Sequence, residues 1–359
     1  MFASDLIRTK VELQCLGVRL DDSPGRARPR TGGAGPAEGI TITLGGLVAT
    51  VPTGAAFIER SPFALRAEAD GSLVLTRDGV DLMGVEIVAA PAFYSNSTAD
   101  GTPMNMVALR HGIDAIGTTV VQSCARGEAC LFCGIALSGS QGRTVARKSP
   151  GQLAEVAARA AAEGFTHTVL TTGTTNFEDC GIADLEPCAA AVSLATDSAM
   201  KVHVQFEPPS SEEWIERAAA VADTAAINIE CFDEATLRRV APGKAAVGIE
   251  RYKRTWSKAV EKFGAGMVTS FIIVGIGEPR ETVLEGCRLL TSLGIYPYVL
   301  PLRPIPGTAL GESSPPATEY MLSLLEDAAS IIGASGMRAA ECPAGCVRCG
   351  ACSAITDLA

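Results

Sequence analysis

From about residue 115 onward the chain alternates between short apolar runs of β character and amphipathic helical stretches, and this rhythm constrains the fold more than any other feature. GTTVVQS, THTVLTT, KVHVQFE, AAINIE, MVTSFIIVGI and YPYVLPLR read as strands, and each is followed by a segment of helical pattern. Ser149 to Gln152 forms a capping box with Pro150 at the first helical position, ahead of the helix QLAEVAARAAAE that Gly164 ends. Ser210 to Glu213 reads as a second capping box before EEWIERAAAVA. Strands alternating with helices imply a parallel sheet with right-handed crossovers. Six such units are too few to close an eight-stranded barrel. They suit an α/β partial (βα)6 TIM-like barrel, with a doubly wound sheet as the competing architecture.

Both architectures place their chemistry at the carboxyl ends of the strands. The first strand runs into Cys124-x5-Cys130-x2-Cys133, and the second into Thr172, Gly173 and Thr174. Glu207 ends the third, ahead of two prolines. Alternation puts Asn228 and Glu230 on one face of the fourth strand. Gly275, Gly277 and Glu278 end the fifth, and Arg303 precedes PIPGTAL after the sixth. Polar or backbone-exposing residues at each end, above apolar strands, describe a pocket for a polar ligand.

The rest of the chain divides around this core. Residues 1–110 read as a small β-rich N-terminal region (ITITL, LVATV, SLVLT, VEIVA) behind a helix from Ser4 to Leu20, with a Gly/Pro/Arg-rich flexible insert at 22–39. The core spans 111–336, and 337–359 form a Cys-rich tail. A net charge of −10 without a basic block argues against nucleic acid. No apolar run is long enough to cross a membrane, and the charged N-terminus lacks a signal-peptide core, so the expected location is cytoplasmic.

In a reducing compartment clustered cysteines are metal ligands or catalysts rather than disulfides. Seven of the twelve fall into two clusters, while Cys15, Cys180, Cys188, Cys231 and Cys287 are scattered and read as buried thiols. Cys180, near the rim, is either an extra ligand or a plain thiol, the latter favoured. His111, His167 and His203 are scattered, and the last two begin strands, away from the pocket. Cys124, Cys130 and Cys133 alone do not complete a structural zinc site. They suit three irons of a [4Fe–4S] cluster whose fourth iron takes an outside ligand.

A three-cysteine loop after the first strand, Phe132 just before its last cysteine and the six-unit core together resemble the radical S-adenosylmethionine (SAM) superfamily over roughly residues 115–335. INIE, VGIGE and IPGTAL resemble the biotin synthase and lipoyl synthase branch, and within it a family encoded beside nitrilase-type enzymes. The five-residue gap between Cys124 and Cys130 departs from the usual Cys-x3-Cys-x2-Cys, and Thr-Gly-Thr stands where Gly-Gly-Glu is usual. The resemblance implies that the open iron chelates the amino and carboxylate groups of SAM. Reductive cleavage then yields a 5′-deoxyadenosyl radical that abstracts hydrogen from a small-molecule substrate, with an external electron donor such as flavodoxin or ferredoxin. It further implies that Thr172, Gly173, Thr174 and Glu207 line the SAM site. Asn228 and Glu230 would meet the ribose hydroxyls, Arg251 the SAM carboxylate, and Gly275 and Gly277 the adenine.

Cys342-x3-Cys346-x2-Cys349-x2-Cys352 is a second metal site by its spacing. An auxiliary iron–sulfur cluster is favoured over zinc, because the first site already implies cluster loading. Such a cluster could donate sulfur, relay an electron or bind substrate; sulfur insertion or a rearrangement is the expected reaction, though the second-site cysteines of the two named synthases lie elsewhere in their chains. The rival expectations are a non-catalytic protein holding zinc at both sites and an electron carrier with two clusters.

Overall fold

The computed structural model describes residues 3–20, 39–127 and 130–359, so all of the expected flexible insert except residue 39 lies outside the described residues. Strands β1 (Arg19–Leu20), β2 (Ile40–Leu44), β3 (Leu47–Val51), β4 (Phe63–Ala67), β5 (Leu73–Arg77) and β6 (Val80–Ile87) form one sheet in the order β1-β4-β5-β6-β2-β3. Its pairs are antiparallel apart from β1 with β4. ITITL alternates buried and half-buried residues, as a strand with one covered face must. Leu13, Ile42, Phe63 and Leu75 are fully shielded at the centre of its core. The expected helix from Ser4 to Leu20 is shorter, Ala3–Leu16. Gly17 ends it in the left-handed conformation, φ +71°, where an added Cβ would stand 2.9 Å from the Pro52 carbonyl oxygen.

The second sheet holds β7 (Leu109–His111), β8 (Ala115–Thr119), β9 (His167–Thr171), β10 (Lys201–Gln205), β11 (Thr224–Ala226), β12 (Val268–Val274) and β13 (Tyr296–Pro301). Neighbours follow chain order from β7 to β13, with β8 to β13 parallel and β7 antiparallel at the edge. A doubly wound sheet requires strand order to reverse at a switch point. No reversal occurs among the described strands, and the architecture is the partial (βα)6 barrel. Helices Pro150–Ala162, Ile182–Ala195, Glu213–Val221, Ile249–Phe263, Arg280–Ser292 and Thr318–Ala334 cover its outer face.

Local signals explain most boundaries, and one fails. The Ser149 capping box forms reciprocally, with Gln152 N–H donating to Ser149 Oγ at 3.1 Å and Ser149 N–H to Gln152 Oε1 at 2.9 Å. The Ser210 box does not form: that helix begins at Glu213 behind Glu212, without a side-chain cap. The Ser210 N–H instead donates to the Glu178 carbonyl at 2.7 Å, so tertiary contact outcompetes the local cap.

The Cys-rich tail enters the concave side of the barrel. Val202 and Val204 of β10 face the apolar core, whereas His203 and Gln205 on the alternate face meet tail residues. Gly345 N–H donates to His203 Nδ1 at 3.3 Å, and Ser353 Oγ donates to the Val299 carbonyl. Arg348 pairs with Asp114, just ahead of β8, so the tail occupies the end where strands begin. The N-terminal region holds it from the other side. Lys10 Nζ donates to the Gly350 carbonyl at 2.8 Å and pairs with Asp357 at 2.6 Å, while Gln14 and the Thr50 N–H both donate to the Ala351 carbonyl. Among the described residues no helix is long and apolar enough to cross a membrane.

Candidate active site

The first cysteine loop leaves the carboxyl end of β8 and is tied down by backbone hydrogen bonds from three directions. Ala125 N–H donates to the Thr174 carbonyl at 2.7 Å, Leu131 N–H to Val240 at 2.8 Å, and Leu310 N–H to Leu131 at 3.0 Å. The loop is thereby sewn to the β9 rim, to helix Glu234–Val240 and to the IPGTAL segment. Gly173 packs directly against it, since a Cβ there would stand 2.1 Å from the Ser123 carbonyl oxygen and 3.0 Å from the Cys124 Cβ. Cys124 and Cys130 are half-buried and Cys133 is exposed. Phe132 is half-buried and packs on the core. Burial pushes the Cys130 thiol up to about 12, with Lys244 opposing and Cys133 adding to the rise.

Above β10 and β11 lies a charged cluster that the motifs did not announce. Arg126 of the cysteine loop donates to Glu207 at 2.8 Å, with its guanidinium 5.2 Å from the Phe177 ring centroid. Lys244 is buried with Nζ 3.6 Å from Glu207 and 3.5 Å from Glu230, and it donates to the Asn228 carbonyl at 2.6 Å. Burial raises the Glu207 carboxyl, yet Lys244, Arg126 and Thr174 outweigh it and hold the group below its ordinary value. Burial dominates at Glu230, whose carboxyl stands above its ordinary value although Lys244 pulls it down. Burial opposes the charge on Lys244, but Tyr252, Glu230 and Glu207 raise it well above its ordinary value.

Asn228 and Glu230 do not sit on one strand face as alternation requires. Strand β11 ends at Ala226, and Ile227 to Glu230 bulge against β12. Ile227 N–H donates to Thr269 and Glu230 N–H to Phe271, so three residues advance on one side for two on the other. Ile229 N–H turns to Ser270 Oγ at 3.2 Å, and Glu230 takes φ +72°. A non-glycine residue in that region is strained and persists only where its surroundings enforce it. Asn228 Oδ1 accepts from the Phe271 N–H at 3.1 Å.

Three buried polar atoms around this rim have no hydrogen-bond partner among the described residues: Glu230 Oε2, Arg251 Nη2 and Thr172 Oγ1. Arg251 Nε donates to the Pro209 carbonyl at 3.1 Å, which holds the guanidinium at the end of the β10 segment. Orphaned buried groups are costly, and a carboxylate, a guanidinium and a hydroxyl left open together fit a zwitterionic ligand bearing hydroxyls. That donor set, beside three thiols, fits SAM on a [4Fe–4S] cluster. Gly275 and Gly277 adopt φ +103° and +105°, and Glu278 accepts from the Gly275 and Ile276 N–H groups at 2.9 Å each. The φ of +105° at Gly277, which side-chain-bearing residues rarely adopt, already favours glycine there. Cys180 donates to the Pro208 carbonyl at 3.3 Å, the behaviour of a plain buried thiol.

The tail cysteines divide. Cys346, Cys349 and Cys352 share one neighbourhood, where each adds to raising the buried Tyr298 phenol. Cys342 lies apart and donates to the Gly266 carbonyl at 2.8 Å, before β12. Among the described residues no three His, Cys, Asp or Glu side chains gather tightly enough for one metal ion. A closed zinc site needs four donors around a single point, whereas a cluster takes each thiolate on a different iron.

Lys244→Met is expected to destabilise the protein by about 3 kcal/mol, because it leaves Glu230 buried without a counter-charge. A carboxyl whose folded value is raised costs stability as pH climbs past its unfolded value of 4.5. The deficit, read from denaturant melts, is therefore expected to widen from pH 5 to pH 8. Adding Glu230→Gln is expected to narrow it, and an unchanged deficit in the double variant would show that the pairing carries no weight.

Residues 118–290 match the Radical SAM superfamily. The chain is 23% identical over 301 residues to bacteriochlorophyllide c C-7(1)-hydroxylase of Chlorobaculum limnaeum, covering 77% of this chain and 75% of that one. Among solved structures it is similar to a radical SAM methyltransferase from Sphaerobacter thermophilus at 17% identity and TM-score 0.44, covering 77% of this chain and 76% of that one. It is also similar to methylornithine synthase at 15% identity and TM-score 0.45, covering 58% of this chain and spanning 60% of that protein's length. From within β8 to within helix Arg280–Ser292, the chain is thus a radical SAM superfamily domain.

Proposed function

We propose that this protein abstracts hydrogen from a small-molecule substrate held inside the partial barrel, using SAM bound at the rim. The observation that carries the reading is the juxtaposition of the tied-down cysteine loop with the unpartnered buried atoms of Glu230, Arg251 and Thr172. Cys124, Cys130 and Cys133 would hold the cluster, which supplies the electron that cleaves the SAM sulfonium. Arg251 would pair with the SAM carboxylate, and Glu230 would accept from ribose hydroxyls, a reading supported by their unpartnered buried atoms. Lys244 and Arg126 keep Glu207 ionised beside them. Phe132, packed on the core beside the last cysteine, would give the cluster an apolar neighbour.

Sulfur insertion or a rearrangement, as in the biotin and lipoyl synthase branch and the family beside nitrilase-type enzymes, suits a chain with a second cysteine cluster. The relative named as a hydroxylase acts at a carbon, which also suits hydrogen abstraction. A flavodoxin or ferredoxin would deliver the electron in the cytoplasm, with residues 1–110 and 337–359 closing the core of 111–336. The test is anaerobic loading with iron and sulfide, reduction with dithionite, and measurement of 5′-deoxyadenosine released from SAM. Release is the expected result; a fully loaded protein that releases none, with or without candidate substrates, would favour an electron carrier.

A further inference from the structure

The tail spacing treats its four cysteines as equals, but the fold does not. Helix Gly345–Cys349 puts Cys346 and Cys349 three residues apart and so on one helical face. Gln205 Nε2 donates to the Cys346 sulfur at 3.5 Å from the concave face of β10. Cys349 lies against the β7–β8 turn, where a Cβ at Gly112 would stand 2.6 Å from its sulfur, and only glycine leaves that space. Ser353, next to Cys352, is fixed to Val299 of β13 and also accepts from the Ile355 N–H at 3.1 Å, which holds Cys352 on the β13 side. Cys342 is instead committed to Gly266, and the group raising Tyr296 beside it is Cys342 alone among the cysteines.

A second observation points to something missing amid the three. Tyr298 is 1% exposed, and its hydroxyl finds no acceptor among the described residues, although the Cys352 backbone N–H points at its oxygen. It extends from β13 into the neighbourhood of Cys346, Cys349 and Cys352. A buried phenol without an acceptor is costly, and protonated thiols are weak acceptors. The sulfides and thiolates of a bound cluster would provide strong ones. Beside it, Phe271, its register partner on β12, stands 5.3 Å from the Tyr298 ring and is only half-buried, so the aromatic wall extends sideways at the same level of the barrel.

We infer that Cys346, Cys349 and Cys352, without Cys342, hold an iron–sulfur cluster in the floor of the barrel, and that its fourth iron lacks a protein thiolate and opens to the barrel interior. This rests on the reading that the tail binds iron. Gln205, which touches Cys346, and Glu207, which pairs with the first cysteine loop, are two residues apart on the same chain segment. At extended rise their Cα atoms stand roughly 7 Å apart along the strand direction. A substrate beneath SAM therefore lies between the two cysteine sites, within reach of the open iron through an oxygen or nitrogen donor. The tail cluster acts on substrate and is not a remote electron relay.

The experiment starts from the full chain carrying Cys124→Ala, Cys130→Ala and Cys133→Ala, so that only the tail binds iron. After anaerobic loading, iron and sulfide per chain are measured together with the EPR spectrum of the reduced protein, with and without imidazole as a nitrogen-donor probe. About four irons are expected in this background, unchanged when Cys342→Ser is added and lost when Cys352→Ser is added. Imidazole is expected to shift the EPR signal. Serine keeps a donor for the Gly266 carbonyl, and Cys342→Ala is the second variant should serine disturb folding. Loss of iron with Cys342→Ser or Cys342→Ala in a protein of unchanged melting temperature would overturn the three-ligand assignment, as would an imidazole-insensitive signal or zinc in place of iron. None of these results touches SAM cleavage by the wild-type protein, which tests the first site separately.

Discussion

Cys130→Ala is expected to reduce release of 5′-deoxyadenosine from SAM to the level of a control without enzyme, and to remove about four irons per chain while the tail keeps its own. The loss should be chemical and not structural. The loop is held by main-chain bonds that alanine retains: Cys133 N–H to the Cys130 carbonyl at 3.0 Å, and Leu131 N–H to Val240 at 2.8 Å. The side chain itself is only half-buried, so its truncation removes little apolar contact. Far-UV circular dichroism and the melting temperature of the unloaded variant should therefore match those of the unloaded wild type. Cys180→Ala is the matched control. That thiol is near the same rim but is bound to the Pro208 carbonyl, and its loss should leave iron and activity in place. If Cys130→Ala still cleaved SAM, or Cys180→Ala lost the iron, the first site would have been assigned to the wrong thiols.

The architecture was legible because it is written as a period. Each buried strand reads as an apolar run, each helix as a stripe, and Ser149 with Pro150 marks a start that no tertiary contact contests. The site is less legible, for reasons that can be located. Alternation misplaced Asn228 and Glu230 because Ser270 Oγ and the β12 backbone impose a bulge, and nothing in the letters INIE encodes a neighbour supplied forty residues later. The Ser210 cap failed because the Glu178 carbonyl took its N–H. Lys244 left no trace, since one lysine in PGKAAVG has neither periodicity nor motif; only folding sets it between two carboxylates. Spacing grouped four tail cysteines, but the Gly266 carbonyl that draws Cys342 aside is a tertiary feature.

Lys148→Met is expected to stabilise the protein at neutral pH, by roughly 3–5 kcal/mol, the opposite sign to the same change at Lys244. Both lysines are buried, and what separates them is company. Lys244 has two carboxylates within ion-pair range, whereas Lys148, 1% exposed, has Gln122 Oε1 at 3.4 Å as its nearest hydrogen-bonding acceptor. Burial without a counter-charge pulls the Lys148 amine down from 10.5 to about 7. Between those values the unfolded chain carries a proton that the native state lacks, so the wild type gains stability as pH rises from 7 towards 10.5. Below pH 7 the whole penalty applies. Methionine has a similar unbranched stem and no charge to desolvate, so its contribution is flat with pH. Denaturant melts of both proteins across pH 6 to 10 should show the widest gap at the acid end and near convergence at the alkaline end. A gap independent of pH would mean that Lys148 stays charged in the native state, with a partner that the fold has brought to it.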